Sequence, residues 1–404
     1  MKQSQIHRRN PRWAGAFAAI ALATVLASCG GGGGDSGAST GAQVLSAEAS
    51  LGARIFSDAS LSASGSQSCA SCHTSGTGFA QDNFHAAQFG GPLGNLQGGR
   101  ASPPAAYLHT NTAFAVDVDG APSGGFFWDG RADSLAAQAA GPFLNPVEMA
   151  MPDKASVVAR LAAAGYAADF KASYGATIFS NVDLAYQRMT EAIARFETES
   201  NAFHAFTSKY DAFLRGQTTL SAAEARGLAL FNDPTKGNCA ACHPSDKAAN
   251  GDHPLFTDFS YDALGVPRNP RLLANADPAH FDLGLCASKG ETAHPDWCGA
   301  FKVPSLRNAA LRKVYFHNGV FTSLKDVVTF YVQRETNPEK FYPALPGGGY
   351  DKYNDLPSAY KANVNTTEAP YDRVLGGTPA LSDAEIDDVV AFLGTLSDGW
   401  TAPR

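Results

Sequence analysis

Two short stretches carry residues that can do chemistry. Cys69-Ala70-Ser71-Cys72-His73 recurs 170 residues later as Cys239-Ala240-Ala241-Cys242-His243. C-x-x-C-H is the attachment signature of c-type haem. Two thiols on one helical turn can each add across a haem vinyl group, and the adjacent His then lies under the ring and binds the iron. A zinc site would need further ligands at close spacing, and none flank either motif. A thioredoxin-like C-x-x-C would want a βαβ context, which is absent. Two copies in a chain that begins with an export signal select covalent haem: Cys69, Cys72, Cys239 and Cys242 hold it, and His73 and His243 ligate iron.

Elements that repeat with the motifs must position them. Leu51-Gly-Ala-Arg-Ile-Phe56 precedes the first and Gly227-Leu-Ala-Leu-Phe231 the second, each reading as the end of a helix that feeds a haem loop. Ser221-Ala-Ala-Glu224 is a capping box that starts the second of these helices. Asp183 to Glu199 has apolar residues at Leu184, Ile193 and Phe196 and predicts a helix. Ser382-Asp-Ala-Glu385 caps another, running to about Leu396. Strand patterns are scarce and Pro- and Gly-rich loops are long. The internal repeat predicts a mainly α fold of two cytochrome c-like domains, each wrapping one covalently bound haem. The boundary falls near Arg215-Gly216-Gln217, giving domains 46–215 and 216–404.

The chain begins with Lys2, Arg8, Arg9 and Arg12, then an apolar run from Ala14 to Ala27 and Leu26-Ala27-Ser28-Cys29. This is a signal peptide over residues 1–28 with a lipobox-like end. Cys29 reads as the lipidated first residue of the mature chain, with ordinary cleavage nearby as the alternative. Residues 29–45 form a Gly- and Ser-rich tether. Gly30 after Cys29 favours the outer over the inner membrane of a periplasmic location. Removing the leader takes the formal charge from −7 to −11, so nucleic acid is not an expected partner. Four of seven cysteines hold haem and Cys29 takes lipid. Cys286 and Cys298 remain, in a compartment that permits disulfides; a bridge is the preferred reading, two free buried thiols the other.

Further segments lie in order around the motifs. Phe126-Phe127-Trp128-Asp129-Gly130-Arg131 is followed by Gln138, Pro142 and Asn145-Pro146-Val147-Glu148-Met149. The second half carries Phe301-Lys-Val-Pro-Ser-Leu-Arg-Asn308 and Tyr315-Phe316-His317-Asn318-Gly319. At these residues, from about Ser46 to Leu396, the chain resembles the bacterial di-haem cytochrome c peroxidase and MauG family. The resemblance implies an enzyme, a haem peroxidase-type oxidoreductase acting on hydrogen peroxide at the first haem. It implies that Glu148 moves a proton between the peroxide oxygens, that Gln138 and Pro142 line the distal pocket, and that Trp128 lies between the haems. Relatives that need reductive activation carry a displaceable distal His where this chain has Leu93. His85 and His109 are the nearest alternatives, and a first haem left five-coordinate is expected.

Electron-accepting cytochrome haems usually carry Met opposite the His, which raises the potential. The four Met are Met1, Met149, Met151 and Met189, and none follows the second motif. The candidates for the second iron are therefore His253, His280, His294, His317 and Tyr331. Ser323-Leu-Lys-Asp326 starts a helix on which Leu324, Val327, Val328 and Tyr331 share one face. Tyr331 also stands fourteen residues after His317, where the family places its distal ligand. Ordinary peroxidases have Met there and MauG-like members Tyr, so the resemblance implies Tyr331. A phenolate is anionic and hard and favours Fe(III) and above, making the second haem a store for an oxidising equivalent.

The expected function is MauG-like: a di-haem oxidase that uses peroxide to oxidise an exported partner protein. A detoxifying cytochrome c peroxidase fed by small redox proteins is the alternative, and a non-enzymatic di-haem electron carrier the second. Two departures stand out. MauG has a Trp two residues before its second haem motif as the exit to its substrate; here that residue is Gly237, with Trp297 a conceivable substitute. The family also holds Ca²⁺ between the haems through an Asn, and here the stretch is Arg100-Ala101-Ser102-Pro103. The side-chain ligand is missing, though carbonyls and waters could still serve for one Ca²⁺.

Overall fold

The computed structural model describes residues 43–402; the leader, Cys29 and the start of the tether lie outside them. Among the described residues, eight helices have eight residues or more: α1 Ala47–Phe56, α2 Leu135–Leu144, α3 Lys154–Ala163, α4 Ala167–Tyr174, α5 Val182–Glu199, α6 Ala222–Asn232, α7 Leu324–Gln333 and α8 Asp383–Gly394. Strands are confined to three two-residue antiparallel ladders: β1 Phe89–Gly90 with β2 Leu96–Gln97, β3 Ala115–Val116 with β4 Pro122–Ser123, and β5 Tyr261–Asp262 with β6 Phe301–Lys302. The fold is mainly helical, as the sequence predicts.

The sequence repeat is a repeat of packing. In the first half α1 packs on α5, and in the second α6 packs on α8. Each contact is closed by a glycine. A Cβ on Gly52 would sit 1.9 Å from the Ala192 carbonyl oxygen, and one on Gly227 would sit 2.0 Å from that of Asp388. Neither backbone could approach so closely across any larger residue. The expected caps are in place. Ser221 and Glu224 form a reciprocal box on α6, Ser382 and Glu385 form one on α8, and the Ser323 hydroxyl accepts from the Asp326 amide on α7. Each satisfies amides that the first helical turn leaves without partners. The last helix ends at Gly394 rather than Leu396.

Two main cores follow from the repeat. Leu51, Ile55, Phe56, Phe143, Met189 and Ile193 belong to the first; Phe231, Phe256, Val328, Ile386, Val389 and Phe392 belong to the second. Tyr210, on the N-terminal side of the expected boundary, packs into the second core. Polar bonds join the halves. The fully buried guanidinium of Arg307 forks onto Asp211, with both N–H···O distances 2.8 Å. Despite burial, hydrogen bonds from Arg307, Ser208 and His253 hold the Asp211 carboxyl down at about 2. Tyr107 donates to Asp398 over 2.6 Å. Cys286 and Cys298 are joined in a disulfide.

Candidate haem sites

Each C-x-x-C-H stretch opens with a short helical turn, Cys69–Cys72 capped by His73 in the first and Cys239–Ala241 capped by Cys242 in the second. His73 Nδ1 lies 2.9 Å from the Phe79 carbonyl oxygen, and His243 Nδ1 lies 2.7 Å from that of Phe256. A proton on Nδ1 donates to the carbonyl and leaves the lone pair on Nε2, the arrangement that orients a metal-binding imidazole. Burial lowers the proton affinity of His73, keeping the ring neutral. Phe79 and Phe256 both take a left-handed backbone conformation, with φ of 57° and 54°. That turn aims the carbonyl back at the ring. Burial also pushes the Cys72 thiol up to about 11 and Cys239 to about 12, so both stay protonated.

Above Cys69, Cys72 and His73 opens a cavity whose wall includes Trp128, Gln138, Pro142 and Glu148. α2 supplies Gln138 and Pro142. Pro142 sits inside that helix and has no N–H for the Gln138 carbonyl four residues earlier. Glu148 follows the helix and accepts a 2.7 Å bond from Asn145 Nδ2. Burial raises its proton affinity, opposed by the Arg131 charge and the Asn145 bond. Leu93 is 84 % exposed, on the turn between β1 and β2. His85 is exposed and packs edge-on to Phe89, and His109 packs against His204. None of these three lines the cavity.

A second cavity lies over Cys239, Cys242 and His243. One face of α7 walls it with Leu324, Val327, Val328, Tyr331 and Val332, and α8 adds Val389 and Leu393. Of the five candidates for the second iron, Tyr331 and His317 border this space. The His317 ring is stacked on Phe301, centroids 3.5 Å apart, and burial pulls it down to about 4. His253 is bound to Asp211, His294 is stacked on Trp297, and His280 is exposed. Burial pushes the Tyr331 phenol above its usual range. Tyr371, absent from the sequence-based candidates, lies beside it with ring centroids 6.0 Å apart.

The two cavities share a wall in which Trp128, Ala101, Ser102, Pro104, Lys302 and Val303 border both. The Trp128 indole donates to the Ala101 carbonyl over 2.8 Å, and its own carbonyl accepts from the Lys302 amide over 2.9 Å.

These residues fit a covalent tetrapyrrole. Each cavity has two thiols and one oriented imidazole on one side and a largely apolar lining. The second also has Arg312. Its guanidinium donates to the Ser305 and Arg307 carbonyls, while Nε is buried with no partner among the described residues. Burial pulls this group down to about 10, and an anionic group such as a haem propionate would supply the opposite charge. Residues 46–219 match the family model described as di-haem cytochrome c peroxidase. The chain is 36 % identical over 359 residues to the methylamine utilization protein MauG of Paracoccus denitrificans, covering 87 % of this chain and 88 % of that one. It belongs to the di-haem cytochrome c peroxidase and MauG family. It is 32 % identical to the cytochrome c551 peroxidase of Nitrosomonas europaea, over 72 % of this chain and 74 % of that one. The crystal structure of the diheme peroxidase BthA from Burkholderia thailandensis superposes with a TM-score of 0.81 at 38 % identity, covering 87 % and 86 % of the two chains. The chain is thus a haem peroxidase-type oxidoreductase, and its family implies two haem c groups.

Two sequence-based expectations meet obstacles. Trp297 does not border the second cavity; it is buried with Tyr261 and Phe114 near the disulfide, so it does not stand in for a Trp at position 237. Gly237 lines the cavity itself, its Cβ direction 2.7 Å from the Leu230 carbonyl oxygen. For Ca²⁺, no group of three His, Cys, Asp or Glu among the described residues is placed to hold a metal ion. The Ala101 and His317 carbonyls each accept one hydrogen bond and keep a second lone pair, so any Ca²⁺ here would have to rest on carbonyls and waters. Arg312 and Lys302 escape sequence reading, because Lys and Arg between apolar residues read as surface charges. No helix among the described residues is long and apolar enough to cross a membrane.

Proposed function

We propose that this enzyme is a MauG-like di-haem oxidase that reacts with peroxide at the site in residues 46–215 and oxidises an exported partner protein. It would be held in the periplasm by lipid on Cys29, in the outer rather than the inner membrane. The bound haems supply the redox chemistry: peroxide takes two electrons and two protons to become two waters. Cys69 and Cys72 hold the first group and His73 ligates it; Cys239, Cys242 and His243 do the same for the second. Glu148 takes the proton from the nearer peroxide oxygen and returns it to the farther one. Gln138 and Pro142 shape the space around that transfer. Trp128 separates the two sites and relays charge between them. Tyr331 is the second ligand in residues 216–404.

One observation carries the MauG-like reading over a cytochrome-fed peroxidase. The wall of the second cavity offers a phenol on α7, and no Met follows Met189 in the chain. A phenolate disfavours the reduced iron that a cytochrome donor would have to generate. Tyr331→Phe removes only the oxygen. The ferric protein, carrying two haems by pyridine haemochrome assay, should lose its low-spin His/Tyr signal in electron paramagnetic resonance. An unaltered spectrum would give the site to His317 and the function to a cytochrome c peroxidase.

A further inference from the structure

We propose that the Lys302 ammonium is the charge that sets the oxidation potential of Trp128 and, with it, of both haem sites together. The proposal rests on the two-site reading above. Lys302 is 8 % exposed and borders both cavities. It grips the Trp128 loop at two points. Its amide donates to the Trp128 carbonyl over 2.9 Å, and Nζ donates to the Gly125 carbonyl over 2.7 Å. Nζ also stands 5.6 Å from the Phe126 ring centroid. Gly124, Gly125, Phe127 and Gly130 all have positive φ in this loop, so the chain folds tightly around the ammonium.

A buried lysine ordinarily has a carboxylate partner. Lys302 forms no ion pair among the described residues, and its one recorded acceptor is a neutral carbonyl. Charged and titratable groups surround it on each packed element. On the Trp128 loop stands Asp129, whose carboxylate favours the ammonium. Asp129 is itself bound by Arg100 at 2.7 Å and Arg131 at 2.8 Å. On β5, Tyr261 is its register partner and Asp262 follows. Arg100 also holds Asp282 at 2.6 Å. Asp129 and Asp282 are thus ion-paired to arginine, and Lys302 forms no ion pair of its own among the described residues; the field of Asp129 offsets its charge in part. Burial brings that charge within reach of neutral pH, at about 7.

The sign follows from electrostatics. A positive charge in the shared wall opposes removal of an electron from Trp128 or from either site. As pH rises through about 7 the ammonium loses its proton to solvent, and all three become easier to oxidise. Conversely, each electron withdrawn favours release of a proton from Nζ. The charge state of one side chain then biases the whole shared system.

The test uses spectroelectrochemical midpoint potentials of both haems in the full holoprotein, titrated from acid to alkaline pH. The wild type should show both potentials falling around one common inflection near pH 7. The expected drop is at least tenfold in the oxidation equilibrium, about 59 mV for one electron. Lys302→Gln keeps a donor for the Gly125 carbonyl and removes the charge; both potentials should stay low with no inflection. Lys302→Arg keeps the charge at every pH; both should stay high with no inflection. A persisting inflection in Lys302→Gln would overturn the proposal, as would a shift of the same sign in both variants or a response from only one haem. One haem per chain by pyridine haemochrome would instead defeat the two-site reading. Two haems with pH-independent wild-type potentials would defeat the role of Lys302 alone.

Discussion

Replacing Glu148 with Gln removes a proton acceptor and almost nothing else. The amide has the same shape and still offers an oxygen to Asn145 Nδ2, which now donates to Glu148 over 2.7 Å. Positioned proton transfer is typically worth about 10²–10⁴-fold, which is about 2.7–5.4 kcal/mol of barrier. Other groups on the cavity wall cannot easily take over. Asp129 is bound by two arginines, Glu197 is buried beside Cys69 and raised to about 8, and Gln138 and Asn145 are amides. The loss should therefore sit well inside that range rather than below it. Single-turnover mixing of the ferric protein with peroxide, followed at the first haem's absorbance over a pH series, measures it. Burial raises the Glu148 pKa above its ordinary value. The wild-type rate should accordingly fall as acid protonates Glu148, and Glu148→Gln should be slow and lack that limb. A Gln variant that reacts at the wild-type rate, or keeps the acidic limb, would refute Glu148 as the base.

Two further predictions concern stability. The folded pKa of Asp211, about 2, lies below its ordinary 3.8, so its contribution is complete above about pH 4 and is lost as pH falls toward 2. That contribution is on the order of 2 kcal/mol, and Asp211→Asn should remove this part of the acid limb in urea titrations at stepped pH. Gly227→Ala places a methyl 2.0 Å from the Asp388 carbonyl oxygen. Forcing α6 from α8 should cost about 1–3 kcal/mol, read as a lower thermal midpoint with the second haem's absorbance lost first; an unchanged midpoint would mean that the helix pair is not held as closely as described.

How far the chain could be read in advance depended on whether the signal was local. C-x-x-C-H states its chemistry within five residues, and both copies form the turns expected of them. Caps such as Ser382 with Glu385 are equally local, and they form. The face of α7 was legible because Leu324, Val327, Val328 and Tyr331 repeat at helical spacing, and all four border one cavity. Whether Trp297 could serve as an exit was not legible, because sequence distance says nothing about which side of a disulfide loop faces a cavity; it does not border the second one. Gly52 and Gly227 were read as helix residues, but the carbonyls they meet belong to α5 and α8, more than a hundred residues away. Lys302 and Arg312 were invisible for a similar reason: what distinguishes them is the carboxylate that is not there.

That missing carboxylate gives the two buried cations a physical logic. An unpaired charge in a protein interior is costly, and it persists when something else on the same cavity repays it. Arg312 lies on the second cavity with its Nε unpartnered among the described residues, where a propionate of a bound haem would supply the opposite charge. Lys302 lies between the cavities with a carbonyl for company. The same field bears on the phenol. Burial, helped by the negative charge of Asp262 and the neighbouring thiols, keeps Tyr331 protonated, and a protonated phenol is a poor ligand. Only a strong local cation, such as the iron that His243 would hold, can reverse that preference. On the proposed reading, the apolar wall of α7 therefore does two things at once. It prevents Tyr331 from ionising before the metal arrives, and it strengthens the anion–cation attraction once the metal is there.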